Sequence, residues 1–301
     1  MKILVAYNGS ISADAAIEDL RRAGLPEQAE ALVVCVEDGG LHAHHGHASS
    51  GSWPSQLGDV EKLAEKAKAK IASYFPKWTI SSEALFGPPA KIILETSERW
   101  RPGLIVAGSH GRSGIARLFL GSVSLELAHK AGCSVRVVRD GGRFAGGGPI
   151  RVIIANDGSV EAEAAVRAVA ARSWPEKTEA KVVSAVQTLV PSMTLLEAST
   201  FEQEPAFSVI RQVDERERER LRKIAACSAD LLQRAGLTVS TAVVDGDPRE
   251  AILTAAEYAN ADAIFAGARG LGRMERLLLG SVSTYLVTHA HCSLEIVRQT
   301  A

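Results

Sequence analysis

Short apolar runs alternate along the chain with segments of helical periodicity, and this alternation occurs twice. In the first half the pattern predicts strands near 2–7, 31–36, 79–86, 103–108 and 134–139, with helices near 12–23, 58–75, 89–100 and 121–131. In the second half it predicts strands near 150–155, 180–186, 238–244, 262–267 and 293–298. Continuous apolar strands that alternate with helices are typical of buried parallel sheets. We therefore predict an α/β fold of two tandem, doubly wound, five-stranded parallel-sheet domains of the flavodoxin or Rossmann type.

The two halves of the sequence are copies of one pattern. Residues 2–10 (KILVAYNGS) align with residues 151–159 (RVIIANDGS) at an offset of 149. The later glycines align at an offset of 159, so the second copy carries about ten extra residues. The Gly-rich segment 140–149 lies between the copies and predicts a flexible linker. We expect one domain over 1–140 and another over 150–301.

Polar, Gly-rich loops follow the first and fourth predicted strands in each half. The fourth-strand loops read GSHGRSGIARLFLGS (108–122) and GARGLGRMERLLLGS (267–281), in which G-x-x-G is followed nine residues later by Gly-Ser. Glycines let backbone N–H groups approach a ligand, and a helix that begins at Gly-Ser attracts anions at its N-terminus. The pattern favours a polyphosphate cradle beside the first strand, where the winding of the sheet reverses.

Two alternatives bear on this interpretation. In the first alternative the glycines serve only turns and tight helix–sheet contacts, but the repeated spacing favours ligand binding in at least one half. The chain has neither a lysine-bearing P-loop nor a G-x-G-x-x-G directly after the first strand. The second absence argues against a nicotinamide dinucleotide site.

The two motifs, Gly108-x-x-Gly111-(nine)-Gly121-Ser122 and Gly267-x-x-Gly270-(nine)-Gly280-Ser281, resemble the nucleotide-binding signature of the universal stress protein family. The resemblance covers nearly the whole chain as two tandem domains. It implies a nucleotide-responsive stress protein that binds ATP or AMP. It also suggests that the edge strands near 134–139 and 293–298 pair across the copies, so that one chain is a pseudo-dimer. A further homodimer of chains and protein partners of unknown identity are compatible with it.

The resemblance also assigns nucleotide contacts position by position. In the first half they fall on Asn8, Val36, Gly108, Ser109, His110, Gly111, Arg112, Gly121, Ser122, Val123 and Ser124. In the second half they fall on Asp157, Ala185, Gly267, Ala268, Arg269, Gly270, Gly280, Ser281, Val282 and Ser283. Asn8 departs from the family's aspartate, which Asp157 retains. We therefore expect the second half to be the better site, with Asp157 a candidate ligand for Mg²⁺ that accompanies a triphosphate.

Composition excludes several other classes of function. The formal net charge is -1, which offers no electrostatic basis for binding nucleic acid or an anionic membrane. No stretch approaches the roughly 20 apolar residues of a membrane span. The four cysteines show no C-x-x-C spacing, and a reducing cytoplasm is the expected location.

Other polar segments carry weaker hypotheses. His42, His44, His45 and His47 lie in a Gly/Ser-rich stretch, where adventitious metal binding is the favoured interpretation and no metal site is assigned. The segment 214–223 (DERERERLRK) predicts a solvated helix face, and 193–210 before it predicts either a lid or a partner surface. No catalytic residue is assigned. A slow ATPase, or a structural dimerisation module with vestigial sites, remains the alternative function.

Overall fold

The described residues of the first half form five strands and four α-helices. The computed structural model describes residues 1–38, 53–110, 120–139, 148–187, 205–271 and 279–299, without the side chains of 53–57 and 205–207. The strands are β1 (Lys2–Tyr7), β2 (Glu30–Glu37), β3 (Thr79–Phe86), β4 (Leu104–Gly108) and β5 (Ser134–Val138). The helices are α1 (Ile11–Asp19), α2 (Trp53–Tyr74), α3 (Pro89–Trp100) and α4 (Ser122–Lys130).

The second half repeats the order of elements. Its strands are β6 (Arg151–Ala155), β7 (Glu179–Val186), β8 (Thr238–Asp245), β9 (Ala263–Gly267) and β10 (Ser293–Val297). Its helices are α5 (Val160–Ala170), α6 (Pro205–Arg234), α7 (Pro248–Tyr258) and α8 (Ser281–His289). The predicted strands are confirmed. The helix predicted over 12–23 ends earlier, at Asp19, and continues as a 3₁₀ turn over Leu20–Arg22.

All ten strands belong to one sheet, in the order β3-β2-β1-β4-β5-β10-β9-β6-β7-β8. Pairing is parallel within each half, and the winding reverses beside β1 and beside β6. The halves meet at β5 and β10, which pair antiparallel with Arg136 directly opposite Glu295. The doubly wound fold and the pseudo-dimer are therefore confirmed, with the two parallel sheets continuous across the junction.

Apolar side chains cover both faces of the sheet. In the first half, residues such as Ile3 and Val5 face one layer of helices, and Leu4 and Ala6 face the other. The second half has the same two layers, and Ala128 of α4 joins its core across the junction. This two-sided burial explains why the strands read as nearly continuous apolar runs. Among the described helices, none is both long and apolar enough to cross a membrane.

The helices begin in two different ways. The first helix of each half starts with a serine cap: the Ser10 hydroxyl accepts a hydrogen bond from the Ala13 N–H, and the Ser159 hydroxyl accepts one from the Ala162 N–H. In contrast, α4 and α8 begin at glycines, Gly121 and Gly280, which bring no capping side chain. Neither cap residue therefore satisfies a first-turn N–H group with a side chain.

Candidate functional site

A cavity of about 460 Å³ opens at the carboxyl ends of the second-half strands, where the winding reverses beside β6. The predicted residues that line it are Asp157, Ala185, Gly267, Arg269, Gly270, Gly280, Ser281, Val282 and Ser283. Ala268 lies among them in sequence but is buried behind the loop. The structure therefore brings the first-strand loop, the glycine loop and the start of α8 together around one space.

Gly267, the first glycine of the second motif, packs against the start of α5. A Cβ at this position would lie 2.6 Å from the Glu161 carbonyl carbon and 2.8 Å from the Ala162 nitrogen. Gly108 has the same role in the first half, since a Cβ there would lie 2.5 Å from the Ser12 carbonyl carbon. Helix–sheet packing thus accounts for the first glycine of each motif without any ligand.

Gly270, the second glycine of the motif, instead lies against the carboxylate of Asp157. A Cβ on Gly270 would approach Asp157 Oδ2 to 2.6 Å. The same oxygen accepts a hydrogen bond from the Leu271 N–H at 3.2 Å, while Oδ1 accepts one from the Ser159 N–H at 2.9 Å. Asp157 therefore joins the loop after β6 to the glycine loop after β9.

The start of α8 closes the other side of the glycine loop. The Gly280 N–H donates to the Ala268 carbonyl at 2.8 Å, and a Cβ on Gly280 would lie 3.3 Å from Arg269 Cα. Ser281 is exposed at the cavity, whereas Ser283 is buried and its hydroxyl donates to the Gly267 carbonyl at 2.6 Å. Ser281 and the first-turn backbone thus face the cavity, and Ser283 fixes the helix to β9.

Two charged residues of α6, which the sequence pattern predicted to lie on a solvated face, line the cavity together with Leu221. Arg220 donates to the Asp157 carbonyl at 3.0 Å. It also makes a bidentate ion pair with Glu217, in which Nε donates to Oε2 at 2.8 Å and Nη2 donates to Oε1 at 2.7 Å. The Arg220 hydrogen bond holds the pKa of the Glu217 carboxyl below its ordinary value. The sequence signal was weak because α6 lies in the stretch where the second copy is longer, so its residues had no clear counterparts.

The remaining wall of the cavity is mostly apolar. Val183 and Ala185 come from β7, Ile252 comes from α7, and Ala266 comes from β9. Mostly apolar walls with a few polar groups are typical of small-molecule sites.

The first half holds its loops together by different contacts. Asn8 takes the place of Asp157, and its Oδ1 accepts from the Ser10 N–H at 3.1 Å. Ser12 takes the place of Glu161: its hydroxyl donates to the His110 carbonyl and accepts from the His110 N–H at 3.3 Å. In the second half the corresponding contact is an ion pair between Arg269 and Glu161.

The charge at one equivalent position of α2 and α6 also differs between the halves. Leu63 of α2 and Ile224 of α6 occupy equivalent places, because each would contact a Cβ on the glycine after the first strand. Four residues earlier, the first half has Asp59 and the second has Arg220. At this helix position the second half therefore has a cation and the first half has an anion.

The described part of the first half contains several of the other predicted contacts. Ser109 is fully buried, and its hydroxyl lies 2.8 Å from His110 Nδ1. Ser124 is buried and donates to the Ser109 carbonyl at 3.2 Å, as Ser283 does to Gly267. Ser122 is exposed at the start of α4, Val123 follows it, and Val36 lies near the end of β2.

Other predicted residues lie outside the described residues. These are Gly111, Arg112, the histidines at 42, 44, 45 and 47, the linker over 140–147, and 193–204 of the predicted lid or partner surface. Within the described ranges, no group of three or more His, Cys, Asp or Glu side chains is arranged to hold a metal ion.

Comparison with known proteins places the chain in a family. The model of the universal stress protein family matches residues 1–139 and again 150–298. A universal stress protein of Mycobacterium tuberculosis is 29% identical over 255 residues, which cover 83% of this chain and 80% of that protein. A universal stress protein of Methanocaldococcus jannaschii is 29% identical over 141 residues, 46% of this chain and 81% of that protein.

A solved structure shows the same fold over the whole length. The universal stress protein of Archaeoglobus fulgidus superposes with a TM-score of 0.61 at 19% identity, covering 99% of this chain and 98% of that one. Since both halves match the family model and a two-domain relative aligns along most of the sequence, this chain belongs to the universal stress protein family.

Proposed function

We propose that the second half binds an adenine nucleotide, ATP or AMP, and that the protein acts as a nucleotide-responsive regulator of other proteins. The observation that carries this proposal is the uncapped N-terminus of α8 beside the glycine loop, within the cavity lined by Asp157. The proposal extends to the first half as a weaker site.

The phosphate end of the nucleotide belongs at the start of α8. Gly280 leaves the first-turn N–H groups without a capping side chain, and the helix dipole favours an anion there. Ser281 adds an exposed hydroxyl, and Gly270 keeps the loop close without side-chain bulk. Arg269 is paired with Glu161, so the anion site rests on backbone donors more than on a free side-chain cation.

The nucleoside end belongs between Asp157 and the apolar wall. The Asp157 carboxylate accepts from two backbone N–H groups and retains lone pairs for sugar hydroxyls. Val183, Ala185 and Ile252 offer a surface for an adenine ring. The cavity volume of about 460 Å³ falls in the range of small-molecule pockets, about 300–1,000 Å³.

Magnesium would accompany a triphosphate rather than occupy a cage of its own. The carboxylates that line the cavity are Asp157 and Glu217, and both already accept hydrogen bonds. Mg²⁺ typically keeps several waters and binds phosphate oxygens with one or two carboxylates, which is compatible with this arrangement.

Calorimetry on the purified full-length protein tests the proposal. We expect heat on titration with ATP or AMP, and release of an adenine nucleotide when freshly purified protein is denatured and chromatographed. Absence of both at about 1 mM nucleotide would contradict the proposal, since a site weaker than that contributes less than about 4 kcal/mol of binding free energy.

A further inference from the structure

Four charged side chains form a continuous buried row across the junction of β5 and β10. The row runs Asp19, Arg136, Glu295, Arg172, and we call it the charge row. Arg136 donates to Asp19 Oδ1 at 3.1 Å and to Glu295 Oε2 at 3.3 Å, and Arg172 donates to the other oxygen of Glu295. Arg136 and Glu295 are each 1% exposed and Asp19 is 2% exposed.

Further contacts cross the junction from both ends of the charge row. The Ser293 hydroxyl donates to Asp19 Oδ1 at 2.9 Å, and Arg172 donates to the Ala23 carbonyl at 2.6 Å. The Arg172 guanidinium also lies 4.9 Å from the centre of the Phe265 ring. Buried charges are tolerated only when they are paired, and here each is paired on both sides or hydrogen-bonded to the other half.

The centre of the charge row coincides with the pseudo-twofold axis that relates the halves. Arg136 and Glu295 are 159 residues apart, the same offset as Gly108 and Gly267, so they occupy one position of the repeat. They are also directly opposed in the antiparallel ladder. Pairing of two first halves would therefore place Arg136 against a second Arg136, and pairing of two second halves would place Glu295 against a second Glu295.

The outer members of the charge row have uncharged counterparts. At the offset of 149, Asp19 corresponds to Ala168 and Arg172 corresponds to Ala23. Each half thus contributes one acid and one base. From the outer position to the centre, the first half has the acid and then the base, and the second half has the base and then the acid. Unlike halves give the alternation minus, plus, minus, plus, whereas like halves place two equal charges together at the centre.

We propose that the charge row selects the pairing of unlike halves, so that the β5 edge accepts β10 and rejects the β5 edge of a second chain. The neighbouring positions of the ladder cannot make this distinction, because Val135, Val137, Leu294 and Ile296 are all aliphatic. Apolar strand edges pair promiscuously. Like charges brought together in a buried interface suppress the wrong partner.

Refolding of the full-length protein tests this selection. The charge-free variant D19A/R136M/E295M/R172A carries at its outer positions the alanines that the other half already has. Replacing a buried ionic cluster by apolar residues is compatible with folding. Each protein is unfolded in denaturant, refolded over a range of concentrations, and its mass distribution is measured by light scattering after gel filtration.

We expect the charge-free variant to form concentration-dependent chain dimers at roughly ten times the wild-type fraction or more, since like-half pairing is no longer penalised. Glu295→Gln should give an intermediate rise, because it removes the attraction at the centre and the repulsion between two Glu295 side chains but leaves Arg136 facing Arg136. It tests the proposal even if the charge-free variant fails to fold. Glu126→Gln is the matched control: it breaks an exposed ion pair with Lys130 on α4 and should leave the distribution unchanged.

A disulfide reporter identifies which edges meet. Arg136→Cys replaces the methionine substitution in the charge-free variant, with the exposed Cys227 changed to serine. In like-half pairing the introduced thiols face each other across two chains at a spacing that a disulfide spans. Unlike-half pairing leaves each thiol opposite methionine. Refolded oligomers without this interchain disulfide, or wild-type behaviour of both the charge-free variant and Glu295→Gln, would overturn the proposal.

Discussion

Asp157 Oδ2 accepts a hydrogen bond from the backbone N–H of Leu271, 114 positions along the chain. One carboxylate thereby holds the loop after β6 against the glycine loop after β9. A ligand that fills the cavity meets these two loops as one surface, which the Ser159 hydroxyl also joins by donating to the Arg269 carbonyl at 3.4 Å. In the first half the same position is Asn8, which brings no charge.

Exchanging aspartate and asparagine between positions 157 and 8 should shift nucleotide affinity from the second site to the first. Asp157→Asn removes a charge-assisted acceptor, and we expect nucleotide affinity at the second site to fall about tenfold. Asn8→Asp should strengthen binding to the first half. Calorimetry of both variants and of the wild type measures the change. Equal affinity in all three proteins would show that the carboxylate does not contact the nucleotide.

Gly270→Ala should impair binding and spare the fold. The added Cβ would lie 2.6 Å from Asp157 Oδ2, in an exposed loop that can shift outward. We expect weaker nucleotide binding, measured by calorimetry, with a change below about 0.5 kcal/mol in the free energy of unfolding measured in urea.

Gly267→Ala is the counterpart that should damage the fold itself. Its Cβ would meet the Glu161 carbonyl carbon at 2.6 Å, and backbone at a helix start cannot turn aside as a side chain can. We expect a loss of about 1–3 kcal/mol in the free energy of unfolding, with or without nucleotide. A protein as stable as the wild type would show that the helix–sheet contact is not tight in solution.

Arg139→Met should destabilise the junction of the halves. Arg139 donates to the carbonyls of Val287 at 2.7 Å and Thr288 at 3.0 Å, near the end of α8. Since both carbonyls lose a charged donor, we expect a loss of about 1–3 kcal/mol in a urea titration. Lys130→Met, which removes an exposed cation from α4, is the control and should change stability by less than about 0.5 kcal/mol. Equal losses of unfolding free energy in the two variants would contradict the conclusion that Arg139 stabilises the junction.

Acid should weaken the Arg220–Glu217 contact at the cavity. Because the folded-state pKa of Glu217 is lowered, its stabilisation is complete above the ordinary pKa and is lost as pH falls through the folded-state value. The contact is partly exposed, so its contribution is about 0.5 kcal/mol. Urea titrations at several pH values should show this loss in the wild type and not in Arg220→Met. If the free energy of unfolding depends on pH in the same way in both proteins, the Arg220–Glu217 contact is not the source of the loss in acid.

The sequence was sufficient for the strands, the repeat and the loops that border the cavity. Apolar runs such as KILVAY identified buried parallel strands, and the duplicated glycine spacing identified the loops that meet at the cavity. The antiparallel pairing of β5 with β10, which the family resemblance suggested, is confirmed.

The details that the sequence did not reveal depend on contacts distant in the chain. Gly267 and Gly270 look alike in a motif, yet one packs against α5 and the other against a carboxylate. Ser283 was predicted to contact the ligand, and the structure adds a second role, because its hydroxyl donates to the Gly267 carbonyl and fixes the helix to β9. The sequence predicted that Arg220 lies on a solvated helix face, because helical charge patterns do not show which turn of a long helix borders a cavity.

The antiparallel junction has a mechanical consequence for the two sites. Because the strands of the two halves run in opposite directions, the cavity beside β6 and the equivalent strand ends of the first half lie at opposite ends of the strands of one sheet. The helix α8 begins at the cavity and, near its end, accepts a hydrogen bond at the Val287 carbonyl from Arg139 of the first half. In the same way, Arg298 of the second half donates to the Ala128 carbonyl near the end of α4. The helices α4 and α8 are each about 13 Å long and run from the strand ends of their own half to the contact with the opposite half. A displacement of the first turn of either helix would therefore be transmitted across the junction by one rigid element.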